Sequence, residues 1–296
     1  MEAFVLLTIA LSFGIAAAII GLAGLIPQLR GQTPELWAFY RSEFVIIGCV
    51  LVPAALGAWY FAAALLALVR RGQVEMFRLF DAPAWGTQHA VGVAAAGALI
   101  VAATLGDYPF MAVLLGVGLT AVALASLIEN RSNRVERTLI GVATIFYPGM
   151  LAALLSGLRA SENGFAWVFT IYATVEISDT FALLLGKLVG RTHIFPRLSP
   201  KKTAEGLAAG FIFGGAASVA LSHYTIGLSW IASAKTAAAL LVLGLAGDLI
   251  ASALKRWQGK KDFATVLHRH GGALDIYDSF LFAAPLTFLL RPFLVG

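Results

Sequence analysis

The sequence contains very little cysteine and few charged residues. Cys49 is its only cysteine, which excludes a disulfide framework and a metal site built from several cysteines. Charged side chains make up 12% of the 296 residues, whereas a soluble domain has roughly 25%. Hydrophobic residues make up 59% of the chain, more than a soluble core of this size can bury. The low share of charged residues and the high share of hydrophobic residues predict an integral membrane protein.

Apolar runs long enough to cross a hydrocarbon layer of roughly 30 Å recur along the chain. They predict an all-α, polytopic membrane protein of about nine transmembrane helices with polar cytoplasmic loops. The predicted helices are Phe4–Ile26, Phe44–Val69, Ala90–Leu105, Phe110–Ile128, Leu139–Gly157, Phe165–Leu185, Leu207–Ser222, Ile226–Leu254 and Phe280–Val295. The third and seventh are short, so counts of eight and ten stay open. The first run is too long for a signal peptide and lacks a basic n-region, so we expect it to be retained.

Lysine and arginine are divided unequally between the two sets of predicted loops. The loops after helices two, four, six and eight hold 16 of these residues, and the loops after one, three, five and seven hold 3. Short basic loops stay in the cytoplasm, so we expect the N-terminus and the basic face to be cytoplasmic, in a bacterial inner membrane. A basic membrane face attracts lipid headgroups and phosphates, and nothing in the pattern indicates nucleic acid.

Polar residues change their distribution near residue 138. We therefore predict an N-terminal multispanning region over residues 1–138 and a catalytic membrane region over residues 139–296. In the second region, the polar side chains gather in two dense segments.

The first polar segment begins with Asp179 near the end of the sixth predicted helix. An acid inside the membrane costs about 2.5–3.5 kcal/mol on insertion scales, so Asp179 needs either a function or an ion-pair partner, such as Lys187 or Lys202. Thr203 or Ser199 could cap the start of the seventh helix. A helix start attracts phosphate.

The second polar segment runs from Gly247 to Ser279. Asp248, Ser252 and the Lys255-Arg256 pair recur at helical spacing, so they share one face. Asp275 and Asp278 follow Gly271-Gly272, a pair that lets the backbone approach a ligand. Converging carboxylates suit Mg²⁺, and nearby cations suit phosphoryl or nucleotidyl transfer. A histidine site is the weaker alternative, because zinc requires three close nitrogen or sulfur ligands.

Taken in order, the two segments resemble the phosphatidate cytidylyltransferases, also called CDP-diacylglycerol synthases. The second segment follows the family pattern S-x-x-K-R-x4-K-D, spacer, H-G-G-x-x-D-R-x-D at Ser252, Lys255, Arg256, Lys261, Asp262, His270, Gly271, Gly272, Asp275 and Asp278. The first follows the upstream pattern at Asp179, Ala182, Gly186, Lys187, Gly190, Pro196, Ser199, Pro200, Lys202, Thr203, Glu205 and Gly206. The match covers roughly residues 178–285.

The chain departs from the family pattern at three places, so it resembles a divergent member. Ile276 stands where the family has the arginine of D-R-x-D, and Leu183 stands where it has a tyrosine. His268-Arg269 replaces the Pro-Gly before H-G-G, and Arg269 could restore a phosphate contact. These departures leave the exact lipid phosphate open.

The resemblance implies transfer of CMP from CTP to phosphatidate, giving CDP-diacylglycerol and pyrophosphate for phospholipid synthesis. Asp248 and Asp275 would hold Mg²⁺ with Asp278 or Asp179 in support, and a second cation is left open. Phosphate contacts would come from Lys202, Lys255, Arg256 and Lys261. Further substrate contacts would come from Asp179, Lys187, Ser199, Thr203, Ser252, His270, Gly271 and Gly272. Membrane lipids would surround the protein, and a homodimer is left open.

Two other functions fit parts of the sequence. A CTP-dependent lipid or polyprenol kinase would share the charged face and the metal, and its products would distinguish it. An ion-coupled transporter would use Glu176 and Asp179, although transporters place their polar groups near the midplane and have related halves.

Overall fold

The computed structural model describes residues 33–82, 86–128, 134–264 and 271–295. The predicted helix Phe4–Ile26 and the candidate residue His270 lie outside these ranges, as do His268 and Arg269. Nine helices are present in the described ranges: α1 (Thr33–Leu56), α2 (Ala58–Leu79), α3 (Thr87–Leu105), α4 (Tyr108–Ile128), α5 (Arg134–Ala160), α6 (Gly164–Val189), α7 (Ala204–Ile226), α8 (Trp230–Trp257) and α9 (Ala273–Val295).

The predicted fold class is confirmed. Seven of the helices, α3 to α9, are long and apolar enough to cross a membrane. The number of crossings in the whole chain stays a prediction. The buried faces of the described helices form one large apolar core, in which Trp167 and Phe61 are among the largest fully buried side chains.

One small β-sheet adds to the helical architecture. It is an antiparallel hairpin of β1 (His193–Phe195) and β2 (Ser199–Thr203), which connects α6 to α7. The sequence predicts a loop here, and a strand pair this short gives no hydropathy signal. Thr203 ends β2 and caps α7, because its Oγ1 accepts a hydrogen bond of 3.2 Å from the N–H of Gly206.

The predicted single helix Phe44–Val69 is wrong, because the chain reverses within it. Gly57 lies between α1 and α2 with φ of 140°, a backbone conformation that favours glycine. Both arms of the reversal are apolar, so a hydropathy window reads them as one span.

Two hydrogen bonds set the direction of α1. Tyr277, near the start of α9, donates to the carbonyl of Ile46 over 2.9 Å, and Arg159, at the end of α5, donates to the carbonyl of Ala54 over 2.6 Å. α1 therefore runs away from the end of the bundle where α9 begins. Arg41 lies toward that same end, and not on the opposite side as the predicted loop order requires. The expectation that the N-terminus is cytoplasmic was based on that loop order, and it stays a prediction.

Close packing of small residues joins α6 to α7. A Cβ atom on Gly206 would lie 2.5 Å from the carbonyl oxygen of Ala182, and one on Gly210 would lie 2.7 Å from that of Ser178. Gly214 continues this stripe at the same spacing of four residues and packs against Ser178. Small residues let membrane helices approach closely, and this contact fixes the position of Asp179 relative to β2.

Candidate active site

A cavity of about 530 Å³ lies between α6, α7, α8, α9 and the β1–β2 hairpin. It brings together nine of the site residues predicted from the sequence. These are Asp179, Ser199, Lys202, Thr203, Asp248, Lys255, Lys261, Asp275 and Asp278. The two polar segments therefore form one site, although about 70 residues separate Asp179 from Asp248 in the chain.

Lys202 of β2 and Asp248 of α8 form an ion pair across the cavity. Their side chains are 30% and 22% exposed, so the pair is open to a ligand entering the cavity. Asp179 lies close enough to both residues for their charges to act on it. Of the two partners that the sequence suggested for Asp179, Lys202 lies near it but forms its ion pair with Asp248.

Asp275 and Lys255 form a second, more deeply buried ion pair. The Lys255 ammonium donates to Asp275 Oδ1 over 2.7 Å, and the two side chains are 10% and 7% exposed. Asp275 Oδ2 accepts hydrogen bonds from the backbone N–H groups of Gly272 and Phe263, over 2.7 and 2.8 Å. Both carboxylate oxygens are therefore engaged, so Asp275 holds Lys255, the start of α9 and the preceding loop together.

Gly271 and Gly272 make room for carboxylates. A Cβ on Gly271, whose φ is +75°, would lie 2.7 Å from Asp275 Oδ2, and one on Gly272 would lie 2.5 Å from Glu75 Oε2. The sequence suggested that the pair lets the backbone approach a ligand. In the structure, the groups that approach this backbone are side chains of the protein itself.

Glu75 supports the site from outside the cavity lining, and sequence reasoning missed it. It lies on α2 with a fully buried side chain, and its carboxylate accepts hydrogen bonds of 3.0 Å from the N–H groups of Ala273 and Leu274. Arg71 donates to the same carboxylate over 2.9 Å. Glu75 and Asp275 thus occupy three N–H groups at the start of α9, which would otherwise attract an anion.

The end of α2 also holds the loop after α8. Lys260 donates hydrogen bonds to the carbonyls of Arg78 and Leu79 over 3.0 and 2.7 Å, and it pairs with Asp81 over 2.7 Å. Together with Glu75, this contact joins the two regions that the sequence separated near residue 138. The division into two regions stays a prediction, but the base of the site crosses it.

Besides Gly271 and Gly272, three predicted site residues in the described part of the chain do not line the cavity. Arg256 is exposed and donates to the carbonyls of Leu198 and Lys260 over 3.3 and 3.1 Å, so it ties the hairpin turn to the loop after α8. Lys187 is exposed and lies one turn beyond Leu183, which lines the cavity. Ser252 is buried outside the lining. Helical spacing alone could not separate these positions from those of the cavity.

Asp278 supplies a further carboxylate on α9 and is 7% exposed. Its Oδ1 accepts a hydrogen bond of 2.6 Å from the N–H of Ser279. Asp248 reaches the same region because α8 and α9 pack closely at Gly247, where a Cβ would lie 2.9 Å from the Asp278 carbonyl oxygen. The charges of Asp248 and Asp179 both act on Asp278.

The carboxylates fit a hard divalent cation that completes its shell with a substrate. In the described part of the chain, no three acidic, histidine or cysteine side chains are grouped closely enough to hold a metal ion by themselves. Mg²⁺ commonly takes one or two protein carboxylates and fills its other positions with water and phosphate oxygens. Asp248, Asp275 and Asp278 all line one cavity, so an ion bound there would take one or two of them.

Away from the charged residues, the cavity is apolar. Its lining there includes Val175 of α6, Phe211 of α7 and Leu241 of α8. Both departures from the family pattern that lie in the described residues, Leu183 and Ile276, also line the cavity. The site therefore has one charged end suited to phosphates and one apolar end suited to hydrocarbon.

Comparisons with known proteins identify the family of this chain. The model of the cytidylyltransferase family matches residues 39–294. A phosphatidate cytidylyltransferase of Aquifex aeolicus is 34% identical over 146 residues, 49% of this chain and 54% of that protein. The protein of that name from Bacillus subtilis is 32% identical over 166 residues, which cover 55% of this chain and 61% of that protein. The one from Thermotoga maritima is 30% identical over 187 residues, which cover 60% of this chain and 68% of that protein. The first two alignments span less than two thirds of those relatives.

Proposed function

Because this chain belongs to the cytidylyltransferase family, we propose that it transfers CMP from CTP to phosphatidate, giving CDP-diacylglycerol and pyrophosphate. The similar proteins from three bacteria carry the name phosphatidate cytidylyltransferase. The match to the family runs from α1 to the end of α9, so it includes both polar segments and Glu75.

The observation that carries this proposal is the division of one cavity into a charged end and an apolar end. Lys202, Lys255 and Lys261 supply positive charge at the first end. Val175, Phe211 and Leu241 line the second. A reaction between a nucleoside triphosphate and a membrane lipid needs both surfaces within reach of one reacting atom.

The chemistry requires positioning more than proton transfer. A phosphate monoester oxygen of phosphatidate attacks the α-phosphorus of CTP, and the bond from that phosphorus to the bridging oxygen breaks, which releases pyrophosphate. The attacking oxygen is already anionic at neutral pH, so no general base is needed. Holding the two substrates in line and neutralising phosphate charge would supply most of the rate enhancement.

Two of the cavity lysines form ion pairs with acids in this structure. Asp248 orients Lys202, and Asp275 orients Lys255. We assign both lysines to the triphosphate, with Lys261 beside them. Asp248 and Asp275, supported by Asp278 or Asp179, would hold Mg²⁺, which neutralises charge on the triphosphate and on the leaving pyrophosphate. Ser199 lies in the hairpin strand at the same end and would donate its hydroxyl to a phosphate oxygen.

We place the charged end in the cytoplasm. Lys201 and Lys202 of the hairpin and Lys260 and Lys261 of the loop after α8 all lie at this end of the bundle, and positively charged loops stay on the cytoplasmic side. CTP would then reach the site from the cytoplasm, and phosphatidate would enter from the adjacent leaflet.

A labelling experiment tests the proposal. The purified protein is incubated in detergent with Mg²⁺, phosphatidate and CTP labelled at its α-phosphate. We expect the label in lipid. Label that remains in CDP, together with a newly phosphorylated lipid acceptor, would identify a kinase. Absence of both products from a folded protein would refute CTP-dependent transfer.

A further inference from the structure

A second cavity lies at the end of the bundle opposite the charged site. It has a volume of about 730 Å³ and lies between α4, α5 and α9. Ligand pockets commonly measure 300–1,000 Å³. Its lining is almost entirely apolar or aromatic and includes Tyr108, Met111, Leu154 and Phe288. The cavity therefore has the size and surface to take up a hydrocarbon chain.

Arg291 is the one charged residue that lines this cavity within the described part of the chain. It lies 18 residues after the start of α9, which corresponds to about 27 Å along the helix axis. Its side chain thus lies near the membrane surface opposite the charged site. One guanidinium nitrogen donates to the Ser161 hydroxyl over 3.1 Å, and the group lies 5.2 Å from the centre of the Trp167 ring.

The Arg291 guanidinium has further N–H donors that an anion can accept from. A guanidinium has five N–H donors, and the Ser161 contact uses one of them. No carboxylate of the described residues forms an ion pair with Arg291. Lipid headgroup phosphates lie at that membrane surface, and a phosphate can accept two parallel N–H bonds from arginine.

We propose that this cavity binds one anionic phospholipid from the leaflet opposite the charged site. An acyl chain occupies the apolar lining, and the headgroup phosphate contacts Arg291. A zwitterionic lipid fits less well, because its ammonium group offsets the charge that the guanidinium attracts. This binding site is separate from the catalytic cavity and does not depend on the proposed reaction.

Lipid titration tests the site. The protein is purified in an uncharged detergent, and its melting temperature is followed while phosphatidylglycerol or phosphatidylcholine with identical acyl chains is added. A lipid that binds only the folded protein raises the melting temperature. We expect phosphatidylglycerol to act at lower concentration than phosphatidylcholine, with native mass spectrometry detecting one retained phosphatidylglycerol.

Two variants and a control locate the effect. Arg291→Gln should raise the phosphatidylglycerol concentration for a half-maximal shift by about tenfold, because it removes a charge-assisted hydrogen bond. Leu154→Trp fills the cavity, keeps Arg291 and should have a similar effect. Lys235→Gln removes an exposed cation of α8 outside the cavity and should leave the titration unchanged.

Three results would overturn the proposal. The first is an unchanged phosphatidylglycerol titration in Arg291→Gln, or in Leu154→Trp if Arg291→Gln does not fold. The second is an equal rise in melting temperature with the two lipids at the same concentrations, which would mean that the cavity binds acyl chains regardless of headgroup charge. The third is absence of any lipid effect, and a dimer that Leu154→Trp dissociates would then assign the surface to a second copy of the chain.

Discussion

The carboxylate of Glu75 accepts a hydrogen bond from the backbone N–H of Leu274, 199 residues later in the chain. The same carboxylate accepts the N–H of Ala273, and Asp275 accepts that of Gly272. A helix start whose N–H groups are filled by two protein carboxylates has little left for a substrate phosphate. The phosphates are therefore expected at the lysines, and the role of Glu75 is to hold α9 in place.

The first prediction concerns Glu75. Glu75→Ala removes the acceptor of two buried N–H groups and leaves Arg71 without its carboxylate. Leaving a buried N–H group without its acceptor costs about 1–3 kcal/mol, so the melting temperature should fall. Glu75→Gln keeps one acceptor oxygen and should lose less. Thermal unfolding in detergent measures both, and Glu162→Gln, at an exposed position of the opposite end, is the control. Equal stability of Glu75→Ala and wild type would remove the assigned role.

The second prediction concerns Asp275. Asp275→Asn keeps the shape but removes the charge that faces Lys255, so turnover should fall by orders of magnitude. Asn caps a helix about as well as Asp, so a capping role alone predicts little loss. If Asp275 also holds Mg²⁺, the Mg²⁺ concentration for half-maximal activity should rise in this variant.

The Mg²⁺ titration separates the two roles of Asp275. A variant with low turnover, an unchanged Mg²⁺ requirement and a lower melting temperature would make Asp275 a positioning residue for Lys255. Near-normal turnover across the titration would exclude both roles.

The third prediction compares two lysines that the sequence treats alike. Lys202 lines the cavity and pairs with Asp248, whereas Lys187 is exposed outside it. Lys202→Gln should raise the KM for CTP by about tenfold or more, because it removes a charge-assisted phosphate contact. Lys187→Gln should leave the KM within about twofold. Steady-state kinetics with varied CTP distinguish them, and similar losses in both variants would contradict the cavity assignment.

The fourth prediction concerns Ile276, which lines the cavity where the family pattern has arginine. Ile276→Arg rebuilds D-R-x-D and places a guanidinium beside the substrate phosphates. Activity on phosphatidate should be kept or raised, measured as label transferred to lipid. Ile276→Leu controls for the disturbance of the site. A large loss in Ile276→Arg alone would show that this chain has adapted the position to a different lipid phosphate.

The fifth prediction tests the direction of α1. In a Cys49→Ser background, single cysteines replace Arg41, Lys201 and Glu162. An impermeant thiol reagent added to intact cells should label the cysteine at Glu162 and spare the other two, because Arg41 and Lys201 lie toward the charged end. Labelling at Arg41 like that at Glu162 would restore the single helix Phe44–Val69. Labelling at Lys201 would reverse the orientation.

Hydropathy located the helices that follow a simple pattern. α4, for example, begins at Tyr108 and was predicted to begin at Phe110. Hydropathy could not find the reversal at Gly57, because residues on both sides of it are apolar. The direction of α1 is set by contacts with Tyr277 and Arg159, which no local window contains.

Sequence reasoning also found only some residues of the candidate site. Family motif spacing identified Lys202 and Asp275, and helical spacing with Ser252 and Lys255 identified Asp248. It could not tell that Arg256 turns toward the hairpin, because one residue along a helix changes the direction of a side chain by about 100°. Glu75 lay beyond such reasoning, since nothing near it in the sequence indicates a contact with α9. The local sequence pairs Glu75 with Arg71 one turn earlier, a spacing that predicts an ion pair within α2 and not a contact with α9.

The reversal at Gly57 also affects the surrounding lipid. From Phe44 to Leu56, the apolar arm of α1 has a length of about 20 Å at 1.5 Å per residue, short of a hydrocarbon layer of about 30 Å. α6 and α8 have 26 and 28 residues and exceed that thickness. Such a mismatch is relieved by local thinning of the bilayer. We therefore expect the bilayer to be thinner beside α1 than beside α6 and α8. The acyl-chain length of the surrounding lipids should influence the stability of the protein.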